Sequence, residues 1–389
     1  MDDPPTHVVM KPRRFALSLF AALVMFGLSL WLTHFDIGGE RNIETTAGTK
    51  ATADVIAATP LPRLEGVEEE IQLALGRACD EQVTETDRVA WEHLEGEESN
   101  AYFDALKQST SDSLSESVNA EHLHLAALFA DDIQRSFELL DQAITSDPAD
   151  PFLIWSAFHL CSKQVAGTHC ATQDWEQRLL AIDGENSESW IRIAANRYAE
   201  GEVTGALEAM RRASTAGETR AYFPEMVEII ERGLAASSDY TFRERVELAF
   251  GFAVVLVPGY NDQVRMCESQ SNTDVEWTYA CLTYGELVER QGKDEMGVAI
   301  AQSIQRVALD ALGETERSAE VTERIQASNK FRIESIDETI RIERLIKSSD
   351  VMFSAYLSAV KAGGESFARR TIANEVDRLS KLRPELGCD

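Results

Sequence analysis

Tyr222-Phe-Pro-Glu-Met-Val-Glu-Ile-Ile-Glu-Arg-Gly-Leu234 sets Tyr222, Phe223, Met226, Val227, Ile229, Ile230 and Leu234 on one face of a helix and its charges on the other. The same period recurs through most of the chain beyond residue 64: Val321 and Ile325 form one stripe, and Ile333, Ile336, Ile340 and Leu345 form another. Strict apolar-polar alternation over a strand's length hardly occurs, and 10 Pro with 22 Gly is low for a turn-rich β protein. The expectation is an all-α fold. Pro151-Phe-Leu-Ile-Trp-Ser-Ala-Phe-His-Leu-Cys161 is apolar nearly all round but too short to span a bilayer, so it predicts a buried helix. Asp147-Pro148, Pro258-Gly259 and Gly363-Gly364 mark breaks between helices.

Residues 15–33 contain no ionisable side chain, and as a helix they would extend roughly 28 Å, the thickness of a bilayer core. Lys11, Arg13 and Arg14 precede the run, whereas Asp36, Glu40 and Glu44 follow it with Arg41 as their only basic neighbour. The positive-inside rule then keeps residues 1–14 as a cytoplasmic tip and sends the rest across the membrane. A cleaved signal peptide would show an apolar run of about 7–15 residues and a nearby A-x-A site, and the sequence shows neither. The expected arrangement is an uncleaved signal-anchor helix at 15–33, a flexible linker at 36–63 and a helical extracytoplasmic domain at 64–389. The expected location is a bacterial inner membrane with the bulk of the chain in the periplasm; a eukaryotic lumen fits the same orientation.

The chain carries 37 basic and 66 acidic side chains, a formal charge of −29. With Lys11, Arg13 and Arg14 at the tip and an uncharged span, the acidity belongs to the extracytoplasmic part. Such a surface repels phosphate backbones and anionic headgroups, so no nucleic-acid partner is expected and contact with the membrane is through the N-terminal helix. A basic protein or peptide partner is favoured instead.

All six cysteines, Cys79, Cys161, Cys170, Cys267, Cys281 and Cys388, lie beyond the membrane run, where an oxidising compartment permits disulfides. Six cysteines allow 15 connectivities. Proximity favours Cys161 with Cys170 and Cys267 with Cys281, which leaves Cys79 for Cys388. His159, Cys161, His169 and Cys170 offer two imidazoles and two thiols within a short span, but their spacing is no established zinc pattern. No metal, cofactor or catalytic residue is expected. H-E-x-x-H, G-x-S-x-G, P-loop and Rossmann fingerprints are all missing from the sequence. Glu365-Ser366-Phe367 is similar to the opening of a lytic transglycosylase motif but lacks the Gly-rich continuation, and that reading is set aside.

Trp277, Ala280, Cys281 and Tyr284 stand at the spacing of the W-x2-L-G-x2-Y half of a tetratricopeptide repeat. Trp190, Ile193 and Ala194 begin the same pattern, and Ala206, Met210 and Ala213 match its second helix. Leu140, Ala143 and Pro148 are similar to the closing half of an earlier unit. The sequence thus resembles a degenerate tetratricopeptide-like array, although Trp190 and Trp277 are not separated by a multiple of the roughly 34-residue period. The resemblance implies a solenoid of helical hairpins in which small residues admit close helix approach and aromatics fill the gaps. It also implies a role as a membrane-anchored scaffold or adaptor for protein or peptide partners in the cell envelope. The alternative is an envelope enzyme or metal-binding protein whose site is assembled from distant segments.

Overall fold

The computed structural model describes residues 97–163, 170, 174–256 and 260–382. The membrane run, the linker, Cys79, His169 and Cys388 lie outside them. The described residues form an all-α fold without strands, and none of their helices is long and apolar enough to cross a membrane. The chain opens with α1 (Glu97–Leu114), α2 (Ala120–Phe129), α3 (Ile133–Ser146), α4 (Pro151–Lys163) and α5 (Trp175–Asp183). Asn119, Asp132 and Asp174 start α2, α3 and α5 by accepting hydrogen bonds from free first-turn amides. The apolar run predicted at 151–161 is α4, with Phe152, Leu153, Ile154, Trp155, Ala157 and Phe158 all buried.

Two hairpins form the middle of the molecule. The first joins α6 (Ser187–Ala199) to α7 (Val203–Thr215), turning at Gly201, whose φ of 83° suits a residue without Cβ. The second joins α11 (Val275–Gln291) to α12 (Glu295–Leu312), and α11 docks directly on α7. Between them in sequence come α8 (Phe223–Ser237), α9 (Phe242–Leu256) and α10 (Asn261–Ser271). Helix α10 fills in against α6, α11 and α12, but α8 packs on α1 and α2, and α9 reaches the C-terminal helices. The α8–α9 hairpin therefore packs away from the α6–α7 and α11–α12 hairpins that it separates in sequence. The chain ends with α13 (Thr315–Glu334), α14 (Ile336–Ser348), α15 (Asp350–Gly363) and α16 (Glu365–Leu382).

The quoted stretch 222–234 becomes α8, but Tyr222 stands before the helix in the left-handed region at φ 58°. Such a conformation costs a non-glycine residue about 1–3 kcal/mol. Its ring stacks on Phe152 at 5.2 Å, and its hydroxyl accepts a hydrogen bond from Arg220 Nη2 at 2.9 Å. The Asn186 side chain holds the approach to this turn, accepting from Arg220 N–H and donating to Arg220 C=O at 2.9 Å each. Disulfides Cys161–Cys170 and Cys267–Cys281 are present as proximity suggested. The second ties α10 to α11 inside the core, where both sulfurs are fully buried.

Candidate functional site: a row of acids behind a charged cleft

The expected packing residues lie where the hairpins meet. Ile193, Ala194, Ala206, Met210 and Ala213 are fully buried along α6 and α7, and Trp277, Ala280, Cys281 and Tyr284 are buried along α11. Trp190 is half-buried and donates its indole N–H to Gly184 C=O at 2.7 Å. Gly285, next to Tyr284, lets α11 and α12 come close: a Cβ there would fall 2.7 Å from Ala301 C=O. None of these side chains gathers around a cleft. Their role is to fix the distance between helices.

One of them, however, leads to a polar cluster. The Tyr284 hydroxyl donates at 3.2 Å to Glu188, a carboxyl on the first turn of α6 that is only 2% exposed. Glu188 also faces Arg192 one turn later, at 3.8 Å, and its Oε2 makes no hydrogen bond. The Arg192 guanidinium lies 5.2 Å over the Tyr260 ring, and the Tyr260 hydroxyl points at Asp294, 3.5 Å away. Asp294 is the N-cap of α12 and accepts the Gly297 N–H.

The row continues at the junction of α15 and α16. Gly364, with φ 87°, brings this junction against the α11–α12 loop so closely that a Cβ would lie 2.6 Å from Lys293 C=O. Glu365 N–H donates to that carbonyl at 2.7 Å, and the Glu365 carboxylate in turn accepts Glu295 N–H at 2.9 Å. Lys293 Nζ donates to Lys361 C=O at 2.6 Å. Ser366 donates to Glu295 Oε1 at 2.7 Å, and Arg369 pairs with the same oxygen. Beside this junction is a cleft of about 340 Å³, walled by Val298, Ala327, Phe331, Arg332, Gly363 and Glu365 among others.

Burial dominates the protonation of the row. It lifts the Glu188 carboxyl to about 7, with Arg192 pulling down and Asp294 pushing further up. Burial likewise lifts Glu365 to about 8, again with Asp294 adding to the rise and Arg332 opposing it. Asp294 is raised for the same reason, although its bonds to the start of α12 offset part of the effect. Glu188, Asp294 and Glu365 thus form a coupled set of acids from three distant segments, and Glu365 remains largely protonated at neutral pH. Asp294 and Glu365 retain some surface at the cleft, whereas Glu188 is sealed.

Other polar groups are less open. His124 and Ser156 are hydrogen-bonded at 2.8 Å, but both are buried, and burial lowers the imidazole to about 3, so it stays neutral. A second groove of about 260 Å³ between α11, α12 and α13 is lined by charges that satisfy one another: Glu289 accepts from Gln302, Gln305 and Arg324. His159 stacks on Trp155, and the disulfide between Cys161 and Cys170 removes both thiolates as metal ligands. Among the described residues no group of three or more His, Cys, Asp or Glu could hold a metal ion.

Sequence reasoning did not single out Glu188, Arg192, Tyr260, Asp294 or Arg332, and set Glu365 aside. The available signals were Asp294 in a capping position and the Gly363-Gly364 break. No protein-family profile matches this chain, and no curated protein matches it.

Proposed function

We propose that this chain is a membrane-tethered helical scaffold that binds protein or peptide partners on the extracytoplasmic side of a bacterial inner membrane. The carrying observation is the corner between α13 and α14, where Phe331, Ile333, Ile336 and Ile340 are exposed, Ile333 at 73%. Met296, at the start of α12, is also exposed. Clustered large apolar side chains on a folded surface mark interaction sites more often than isolated ones do. The hairpin pairs α6–α7 and α11–α12, with α11 on α7, support the tetratricopeptide-like reading, because stacked hairpins present extended binding surfaces. The two disulfides support an oxidising compartment, and the apolar run at 15–33 with its basic N-terminal flank supports the tether.

A photo-crosslinking side chain placed at Ile333 or Ile336 in cells should capture a discrete partner. The same group at Tyr279, exposed on α11, should not. Equal capture at all three positions, or capture at none, would refute the reading. A second reading, an enzyme using Glu365 as a general acid, draws on its retained proton and its place at the cleft. The Glu365 carboxylate already caps Glu295 N–H, which favours the binding role.

A further inference from the structure

The α15–α16 turn meets the α11–α12 loop through two helix starts that serve each other. Glu365, the first residue of α16, caps Glu295 N–H at 2.9 Å, and Glu295, the first residue of α12, is held by Ser366 and Arg369 of α16. The backbone closes the joint. Glu365 N–H donates to Lys293 C=O at 2.7 Å, and Gly364 leaves no room for a Cβ. Helix α16 finds its packing on α14 and α15, and α15 is anchored on α9 by Phe353 and Tyr356 against Phe242 and Phe250. The turn can therefore leave the loop without taking the C-terminal helices apart.

The charges at this joint do not balance. The loop side brings Asp294 and Glu295, the turn side brings Glu365, and the cations in reach are engaged. Arg369 pairs with Glu295 Oε1, Lys293 Nζ donates to Lys361 C=O, and Arg332 of α13 lies 3.9 Å from the Glu295 carboxylate. Among the described residues Glu365 has no ion-pair partner, and its carboxylate accepts from Glu295 N–H. From α15 it faces the buried Tyr356 hydroxyl, which also feels Glu343 of α14, while Lys361 pairs with Glu228 of α8. Closure of the joint holds the Glu365 carboxyl beside Asp294 and out of water; release of the turn returns it to water.

We propose that this joint is a proton-operated latch: protonated Glu365 keeps the α15–α16 turn docked on the α11–α12 loop, and loss of that proton frees the turn, which swings on Gly363 and Gly364 and widens the cleft beside Phe331. The latch goes beyond the scaffold reading and does not depend on it. Glu295 N–H and Arg332 favour the ionised carboxyl, but burial and Asp294 outweigh them and lift it from 4.5 to about 8. The stabilisation of docking is therefore full below pH 4.5, where the released turn is protonated as well, and is lost as the pH rises to about 8. Glu365 keeps some surface at the cleft, so this proton exchanges with solvent while the latch is closed.

The test is amide hydrogen exchange of the full chain in zwitterionic nanodiscs, read by mass spectrometry and corrected for the intrinsic rate at each pH. Peptides spanning the α11–α12 loop and the α15–α16 turn should lose about 100-fold in protection between pH 5.5 and 7.5, ten-fold per pH unit for one linked proton. Over the same labelling times α2 and α3 should stay protected. Glu365→Gln, whose side-chain carbonyl still accepts Glu295 N–H, should match the parent at pH 5.5 and lose less than about ten-fold over this range. Asp294→Asn keeps a capping oxygen but removes the charge that raises Glu365, so its loss of protection should end at a lower pH than the parent's. A Glu365→Gln profile parallel to the parent's, or protection at the joint that is flat or rises with pH in the parent, would overturn the latch. Exchange of α2 and α3 in step with the joint would overturn it too, since the opening would then be global. If Gln at 365 loosens the joint already at pH 5.5, Asp294→Asn decides, and an unshifted end point sinks the proposal.

Discussion

Replacing Glu188 with Gln should change how the stability of the fold depends on pH. Burial raises the folded carboxyl from its ordinary 4.5 to about 7. Between those values the folded chain keeps a proton that the unfolded chain releases. The stability this contributes is fully present below pH 4.5 and is lost as the pH rises to 7. Each tenfold step in acid constant is worth about 1.4 kcal/mol, so ionised Glu188 costs the fold about 3 kcal/mol above neutrality. Gln copies the protonated acid: its carbonyl can still accept from Tyr284, and it brings no charge into the core. Urea unfolding with the disulfides intact should give similar stabilities for parent and variant near pH 5, and a variant more stable by roughly 2–3 kcal/mol near pH 8. Glu365 should add a fall of the same sign that continues to about pH 8. Glu188 and Glu365 each feel Asp294 and not one another, so the gains of the two single variants should be close to additive in the double variant. Parallel pH profiles for parent and Glu188→Gln, or a variant weaker at every pH, would refute the reasoning.

Gly285→Ala should destabilise by about 1–3 kcal/mol in urea, because the new methyl would sit 2.7 Å from Ala301 C=O and force α11 and α12 apart. Gly364→Ala meets both a left-handed φ of 87° and Lys293 C=O at 2.6 Å, so amide exchange at Glu295 and Glu365 should accelerate even where global stability changes little. A Cys267→Ala/Cys281→Ala double variant should lose about 3 kcal/mol by unfolding midpoint, since the bond closes a loop across a sequence separation of 14.

Helices were legible because their period is local: Val321, Leu345 and the stretch from Phe152 to Phe158 are buried as that period implies, whereas Ile333, Ile336 and Ile340 of the stripe that ends at Leu345 are exposed, because a local period cannot say whether another element covers the face. The two disulfides were legible for a similar reason, each joining cysteines close in sequence. The polar row was not. Glu188 reads as one more acid in an acidic chain until Tyr284 and Arg192 close over it, and that requires α11 to dock on α7 across the departing α8–α9 hairpin. Glu365 likewise becomes unusual only when the Gly364 turn brings it to Lys293 and Asp294. The left-handed Tyr222 was hidden too, since an aromatic residue at a helical apolar position gives no sign of a positive φ.

The net charge of −29 and the exposed apolar corner act at different ranges. The charge is screened beyond about 8 Å in physiological salt and governs encounter, favouring basic partners and slowing acidic ones. Many arginines of the described residues cannot alter this locally, because each already has its own carboxylate: Arg197 has Glu176, Arg211 has Glu276, Arg245 has Glu231 and Arg324 has Glu289. The corner of Phe331, Ile333, Ile336 and Ile340 acts only at contact. Raising salt should therefore slow association of a partner captured at Ile333 and leave its dissociation rate unchanged. A dissociation rate that rose as association slowed would place the charges inside the contact and refute this division.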